Sequence, residues 1–239
     1  LANISEMNKK IFKLTSIIIL LFLSINLFSQ ESKNSKFKYG INLGGNLFEL
    51  KQNYVFERYN GRLNYSFGFS IEYKINQNLS FLSNINYDRK TMVWVHRISS
   101  VSNGGFGSYT IEDEIRFSYI NIPVFLRYNI GNSKKLGFNL GGFYNHALNI
   151  ENEAKVIESE SPINEVGDES FTQQSEQIID DYDYGILFGV SYQFALTEKN
   201  HFTLELRNEF GLADISQIPV FSKIKTNTLK LILNWQLPI

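Results

Sequence analysis

The chain has 239 residues, with abundant tyrosine and phenylalanine (13 and 20), 16 glycines and only 4 prolines, a composition that suits long strands better than helices. A formal net charge of −1 excludes the concentrated basic surface that nucleic-acid binding needs. The absence of cysteine excludes a disulfide framework, a cysteine-linked lipid anchor and any thiolate-based metal or catalytic site.

At the start of the chain, Leu1 to Glu6 reads as an upstream extension and Met7 as the natural initiator. Lys9, Lys10 and Lys13 precede an apolar run over residues 14–27, and Ser29 and Gln30 form a small or polar exit, so residues 1–30 read as a cleaved secretory signal. That run falls short of the 18 to 20 residues a spanning helix wants (about 20 for a typical bilayer), and no later segment approaches that length. If the mature chain, residues 31–239, enters a membrane, it does so as strands.

Period-two alternation appears first at Phe37, Tyr39, Ile41 and Leu43. The polar stretch 51–62, with Asn60-Gly61, is an expected loop. Strand two alternates from Leu63 to Ile75, and the short link Asn76-Gln77-Asn78 returns it into strand three, with Leu79, Phe81, Ile85 and Tyr87 on one face. Residues 97–113 are read as a second long loop. Strand four is Ser118 to Gly131, with Ile120, Ile122, Val124, Leu126 and Tyr128 against Tyr119, Asn121, Pro123, Phe125 and Arg127. Ile115 and Phe117 are out of phase with it, so a bulge or a membrane-to-water crossing is expected near Ser118. Pro123, lacking a backbone donor, requires a bulge or a local interruption of pairing. Strand five begins at Leu136, a third loop covers 149–182, strand six runs from Asp183 to Phe194, strand seven from Phe202 to Phe210, a last loop covers 214–225, and strand eight runs from Thr228 to Leu237. The connections alternate long and short, which in an up-and-down barrel places all short turns at one end. Outer-membrane barrels show this asymmetry. The expected fold is therefore all-β: an eight-stranded antiparallel up-and-down transmembrane barrel.

The orientation follows from charge and aromatics. One face carries Glu72, Asp88, Glu205 and Glu209 with Lys38, Lys74, Arg127, Arg207 and Lys230. Each Arg or Lys turned towards the bilayer midplane would cost about 2–4 kcal/mol, so these residues belong inside. Tyr65, Tyr73, Tyr87, Tyr128, Tyr144, Tyr184, Tyr192 and Trp235 lie on the other face, mainly towards strand ends, where interfacial girdles sit. Eight strands enclose a space that side chains fill. Glu72, Lys74, Asp88, Arg127, Glu205, Arg207, Glu209 and Lys230 are expected to form an ion-pair network that plugs the lumen against diffusion.

The histidines are His96, His146 and His201; His96 and His146 could approach Ser99, Ser100 or Asp88, but no P-loop, HExxH or GxSxG pattern accompanies them. No catalytic residues and no cofactor are expected. Asp180, Asp181 and Asp183, in the acidic stretch between Glu151 and Asp183, are the candidates for a divalent cation.

YINIPVFLRYNIG from Tyr119 resembles the hallmark fourth strand of the PorT-like outer-membrane β-barrel family. GFNLGGFYNHAL from Gly137, DYGILFGVSYQF from Asp183 and LELRNEFGLADIS from Leu204 are similar to its later strands, in the same order over about residues 37–237. Asn121 stands where that family commonly has an acid, and the chain ends in Pro238-Ile239 where many such barrels have an aromatic. The resemblance implies a Gram-negative outer-membrane protein with lipid as its partner. The expected role is structural, or binding of an extracellular ligand or protein by the long loops of a monomer. An accessory role in a secretion system and a lipid-modifying enzyme are the alternatives.

Overall fold

The computed structural model describes residues 36–52, 60–102, 105–131, 133–160, 171–173, 180–195, 201–216 and 224–238. The expected signal peptide and its cleavage site lie outside the described residues. Eight long strands run in chain order: β1 (Phe37–Gln52), β2 (Leu63–Lys74), β3 (Leu79–Ser102), β4 (Gly105–Ile130), β5 (Leu136–Glu160), β6 (Tyr182–Ala195), β7 (His201–Gly211) and β8 (Ile224–Pro238). Each pairs antiparallel with its chain neighbour, and β1 also pairs with β8, so that Leu43 lies between Phe67 and Leu233 and the sheet closes on itself. A closed ring leaves no sheet edge within the bilayer, which lipid requires because nothing there can pair a free backbone group.

The side chains sort by the strand period. Along β7, Thr203, Glu205, Arg207 and Glu209 are buried while Leu204 and Leu206 are exposed, and along β1 the same holds for Asn42 and Asn46 against Ile41 and Leu43. Leu43, Phe69 and Leu140 are 64%, 58% and 68% exposed. Such residues surround the ring, a continuous apolar surface far larger than a water-soluble monomer presents.

Two local irregularities fall in β4 where the sequence suggests them. Pairing of β3 with β4 skips from Ser83–Val124 to Asn86–Asn121, which leaves Pro123 opposite no ladder partner on that side. The missing proline donor is thus placed where the ladder is interrupted. At Ser118/Tyr119 the register of β4 against β5 shifts and Leu148 becomes the extra residue, the irregularity expected near Ser118.

The expected loop 97–113 is a correction. β3 and β4 stay paired to Ser102 opposite Gly105, so only residues 103 and 104 separate the strands. The expected loop 149–182 is also strand up to Glu160, paired with β4, and Phe171–Gln173 adds a short strand along Asn152–Ala154. On the other flank Asn60–Gly61 pairs with Met92 and Val93. At about 3.3 Å per residue, β4 beyond Ser118 adds roughly 40 Å of strand. Three strands therefore stand above the barrel as a wall.

Candidate functional site

The interior is built in stacked groups. Near the short-turn end, β7 brings Glu205 and Arg207 beside Arg127 of β4 and Glu72 of β2. Arg207 Nε donates to Glu205 Oε1 at 2.7 Å, Arg127 Nη2 reaches Glu205 Oε2 at 3.4 Å, and Arg127 Nη1 faces Glu72 Oε2 at 3.7 Å. Ser80 Oγ donates to Glu72 Oε1 at 2.7 Å, Arg127 Nε donates to Asn139 Oδ1 at 3.1 Å, and Lys38 Nζ stands 4.0 Å from Glu72. Gly137 makes room for this group, since a Cβ there would come within 3.1 Å of Arg127 Cγ and 2.8 Å of Ser191 Oγ.

A second group lies further towards the wall. Lys230 Nζ is 2.5 Å from Asp88 Oδ2 and 3.0 Å from Glu209 Oε2, and it donates to Asn121 Oδ1 at 3.0 Å. Ser66 Oγ donates to Asp88 at 2.6 Å. Asn121 Nδ2 donates to Asn145 Oδ1 at 2.7 Å, Asn145 Nδ2 to Asp183 Oδ2 at 3.2 Å, and Thr226 Oγ1 to the same oxygen at 2.7 Å. Arg207 Nη1 and Glu209 Oε1, 3.7 Å apart, connect the two groups as an ion pair without a hydrogen bond.

Of the residues expected in the lumen, Glu72, Asp88, Arg127, Glu205, Arg207, Glu209 and Lys230 come together, all buried. Lys74 does not. It ends β2 at the short-turn end and is exposed, outside the buried network.

Other interior residues lie outside the expected ion-pair set. Lys90 is buried with Nζ 5.4 Å from the Phe48 ring and 5.1 Å from the Tyr119 ring, a cation over aromatic faces. Apolar side chains also fill the lumen: Leu82, Phe125, Phe143 and Leu187 form one cluster, with the Arg207 guanidinium 4.5 Å from the Phe125 centroid. Phe48, Met92, Phe117, Tyr119 and Ile215 belong to a second cluster at the wall end. The sequence signal for them is the greasy residue standing in the polar phase, as Phe125 and Leu187 do.

The metal candidates separate. Asp183 faces the lumen and spends its carboxylate on Asn145 and Thr226, whereas Asp181 is exposed and Asp180 engages Ile215 through its backbone nitrogen. No group of three potential metal ligands occurs among the described residues. His146, opposite Tyr182, and His201, opposite Ala195 and Gln236, lie at opposite ends of the barrel; the side chain of His96 lies outside the described residues.

On the outer side of the wall, directly above the stacked rings of Tyr65 and Tyr87, charges replace the apolar surface. Arg62 reaches Glu112 at 3.4 Å and Glu114 at 3.2 Å, Arg116 reaches Glu114 at 2.6 Å and Glu153 at 2.7 Å, and Arg89 reaches Glu151 at 3.1 Å. The hydrogen bond to Glu114 raises the Arg116 pKa above its ordinary value. This belt marks the upper limit of the lipid-facing band.

A closed antiparallel ring with a polar interior, an apolar exterior and aromatic-to-charged borders defines a transmembrane β-barrel. The chain belongs to the family described as outer membrane protein beta-barrel domain, which matches residues 28–217, and it is an outer-membrane protein. Among solved structures it is similar to the outer membrane protein OprG from Pseudomonas aeruginosa, at 9% identity over 86% of this chain and 97% of that chain, with a TM-score of 0.44. It is also similar to Ail of Yersinia pestis, at 11% identity over 83% and 97% with a TM-score of 0.38, and to Neisserial surface protein A, at 14% identity over 84% and 97% with a TM-score of 0.35. No curated protein matches the chain.

Proposed function

We propose that this protein is a monomeric surface-binding barrel with a closed, non-conducting lumen, in which the β3–β5 wall and the neighbouring loops contact an extracellular ligand or partner protein. It is not an enzyme in this reading. The observation that carries the proposal is the wall itself. Ordering that much backbone beyond the bilayer costs conformational entropy that spanning the membrane does not require, and binding surfaces are commonly held on such rigid supports. The filled interior supports the closed lumen: Leu82, Phe125, Leu187, Arg127 and Arg207 leave nearly no accessible surface between them.

The stretch 118–131, with its resemblance to the PorT-like fourth strand, favours a second reading as an accessory of a secretion system. A photo-crosslinking residue in place of Val95, exposed on the outer side of the wall, separates the two in living cells. Discrete adducts with a surface polymer or protein, lost when the same residue is placed at the lipid-facing Leu140, support surface binding. No adduct, together with loss of a set of secreted proteins on gene deletion, supports the accessory role and overturns the first reading.

A further inference from the structure

Among the described residues, the exposed charges at the short-turn end of the barrel are of one sign. Lys36, Lys74 and Lys135 are exposed there, and Lys134, in the left-handed region at φ 52°, is half-buried with Nζ 2.8 Å from Gln77 Oε1. Lys74 N donates to Lys36 O at 2.7 Å and Gln193 N to Lys135 O at 2.7 Å, so these lysines ride on backbone tied to the barrel. Among the described residues this rim presents no exposed carboxylate: Glu72, the acid nearest to it, is buried against Lys38 and Arg127. The opposite border is unlike it, because there Glu112, Glu114, Glu151 and Glu153 answer the arginines.

The position of the lysines identifies what they meet. Lys36 is followed by Phe37, Lys74 by Ile75 and Lys135 by Leu136, apolar residues that are 50%, 45% and 42% exposed on the outer surface. The lysines themselves stand on the inward phase, but at the very ends of their strands, about one residue (roughly 3.3 Å) from the lipid-facing band, where the open rim lets an exposed stem turn outward. Such a flexible stem can lie along apolar surface while its head reaches the polar layer of the bilayer. The Phe37 and Tyr73 rings, 4.7 Å apart, mark that depth from the side of the band.

We propose that this basic rim binds the phosphates of anionic phospholipid headgroups in the leaflet facing the periplasm, so that the barrel is held at a fixed depth from its short-turn end. The inference rests on the outer-membrane placement alone and not on the surface-binding reading, which its failure would leave untouched.

The two tryptophans make the test direct. Trp235 lies on the lipid-facing side towards this rim, opposite Ile41 and Phe202, so Trp94→Phe leaves it as the sole reporter. The full chain is folded into phosphatidylcholine bilayers containing brominated phosphatidylglycerol or, in parallel, brominated phosphatidylcholine, and quenching of Trp235 is compared. Phosphatidylglycerol is expected to quench preferentially, the relative association constant read from the quenching favouring it by about five-fold for each lysine that meets a phosphate, with the preference shrinking at high salt. Replacing Lys36, Lys74, Lys134 and Lys135 by Gln is expected to abolish it, and heat-modifiable gel migration verifies folding. Single Lys74→Gln and Lys135→Gln variants give partial losses if the fourfold variant does not fold. Equal quenching by the two headgroups in the parent protein, or a preference that survives these substitutions, overturns the proposal.

Discussion

Lys230 and Lys74 both stand on the inward phase of their strands, yet only Lys230 is held between two carboxylates, Asp88 and Glu209. Lys230→Met leaves Asp88 and Glu209 buried without the cation they share, Glu209 keeping only Arg207 at 3.7 Å as an ion-pair partner, and is expected to destabilise the folded barrel by about 3–5 kcal/mol. Lys74→Gln at the exposed rim is expected to change stability by no more than about 0.5 kcal/mol. Urea unfolding in lipid or detergent checks the pair, and equal effects would remove the distinction. Phe117→Ala, which empties a fully buried position in the wall-end cluster, is expected to cost about 3–5 kcal/mol in the same assay. At this scale alternation reveals the side on which a residue lies, but not its depth. Glu72 and Lys74 are neighbours on one face, and only depth separates a buried ion pair from a hydrated rim. Lys90 keeps the phase of Asp88, but Arg89 and Thr91 stand on either side of it where greasy residues would mark the outer face, so alternation does not reveal its side.

Among the elements, β4 shows most clearly what patterning can and cannot read. The alternation from Ile120 to Tyr128, the irregularity near Ser118 and an interruption at Pro123 are all legible, because lipid on one side and a filled lumen on the other enforce two unlike faces. Above Ser118 that enforcement ends. The wall's outer side meets water, so Arg116, Glu114 and Glu112 replace greasy residues, and the same strand reads as loop. The belt holding it is half-buried at the water-facing surface, so Glu114→Ala, which leaves Arg62 with Glu112 alone and Arg116 with Glu153 alone, is expected to lower stability by less than about 1 kcal/mol, and less still at high salt. Thermal unfolding at two salt concentrations checks this. A loss of several kcal/mol would mean that the belt is a structural core and not a surface border.

For the molecule as a whole, the ring of eight strands was legible from periodicity, whereas the sorting of connections was legible only in part, because β3 and β4, expected to be joined by a long loop, are separated by residues 103 and 104 alone. The mixture of ions and aromatic side chains that fills the lumen was only half legible, since greasy residues in the polar phase, such as Phe125 and Leu187, carry no sign of what they pack against. With those residues in place, planar-bilayer recordings of the folded protein are expected to show no stepwise conductance. Regular channel openings would contradict the closed lumen.

The central claim is that the greasy face of the ring meets lipid and the charged face is enclosed. A nitroxide label moved one residue at a time from Tyr119 to Tyr128 in the lipid-embedded barrel tests it by collision with oxygen, which partitions into lipid, and with a water-soluble nickel chelate. Labels at Ile120, Ile122, Val124, Leu126 and Tyr128 are predicted to show high oxygen contact, and labels at Asn121, Pro123, Phe125 and Arg127 low contact with both reagents. The opposite phase, or no period of two, would contradict the account.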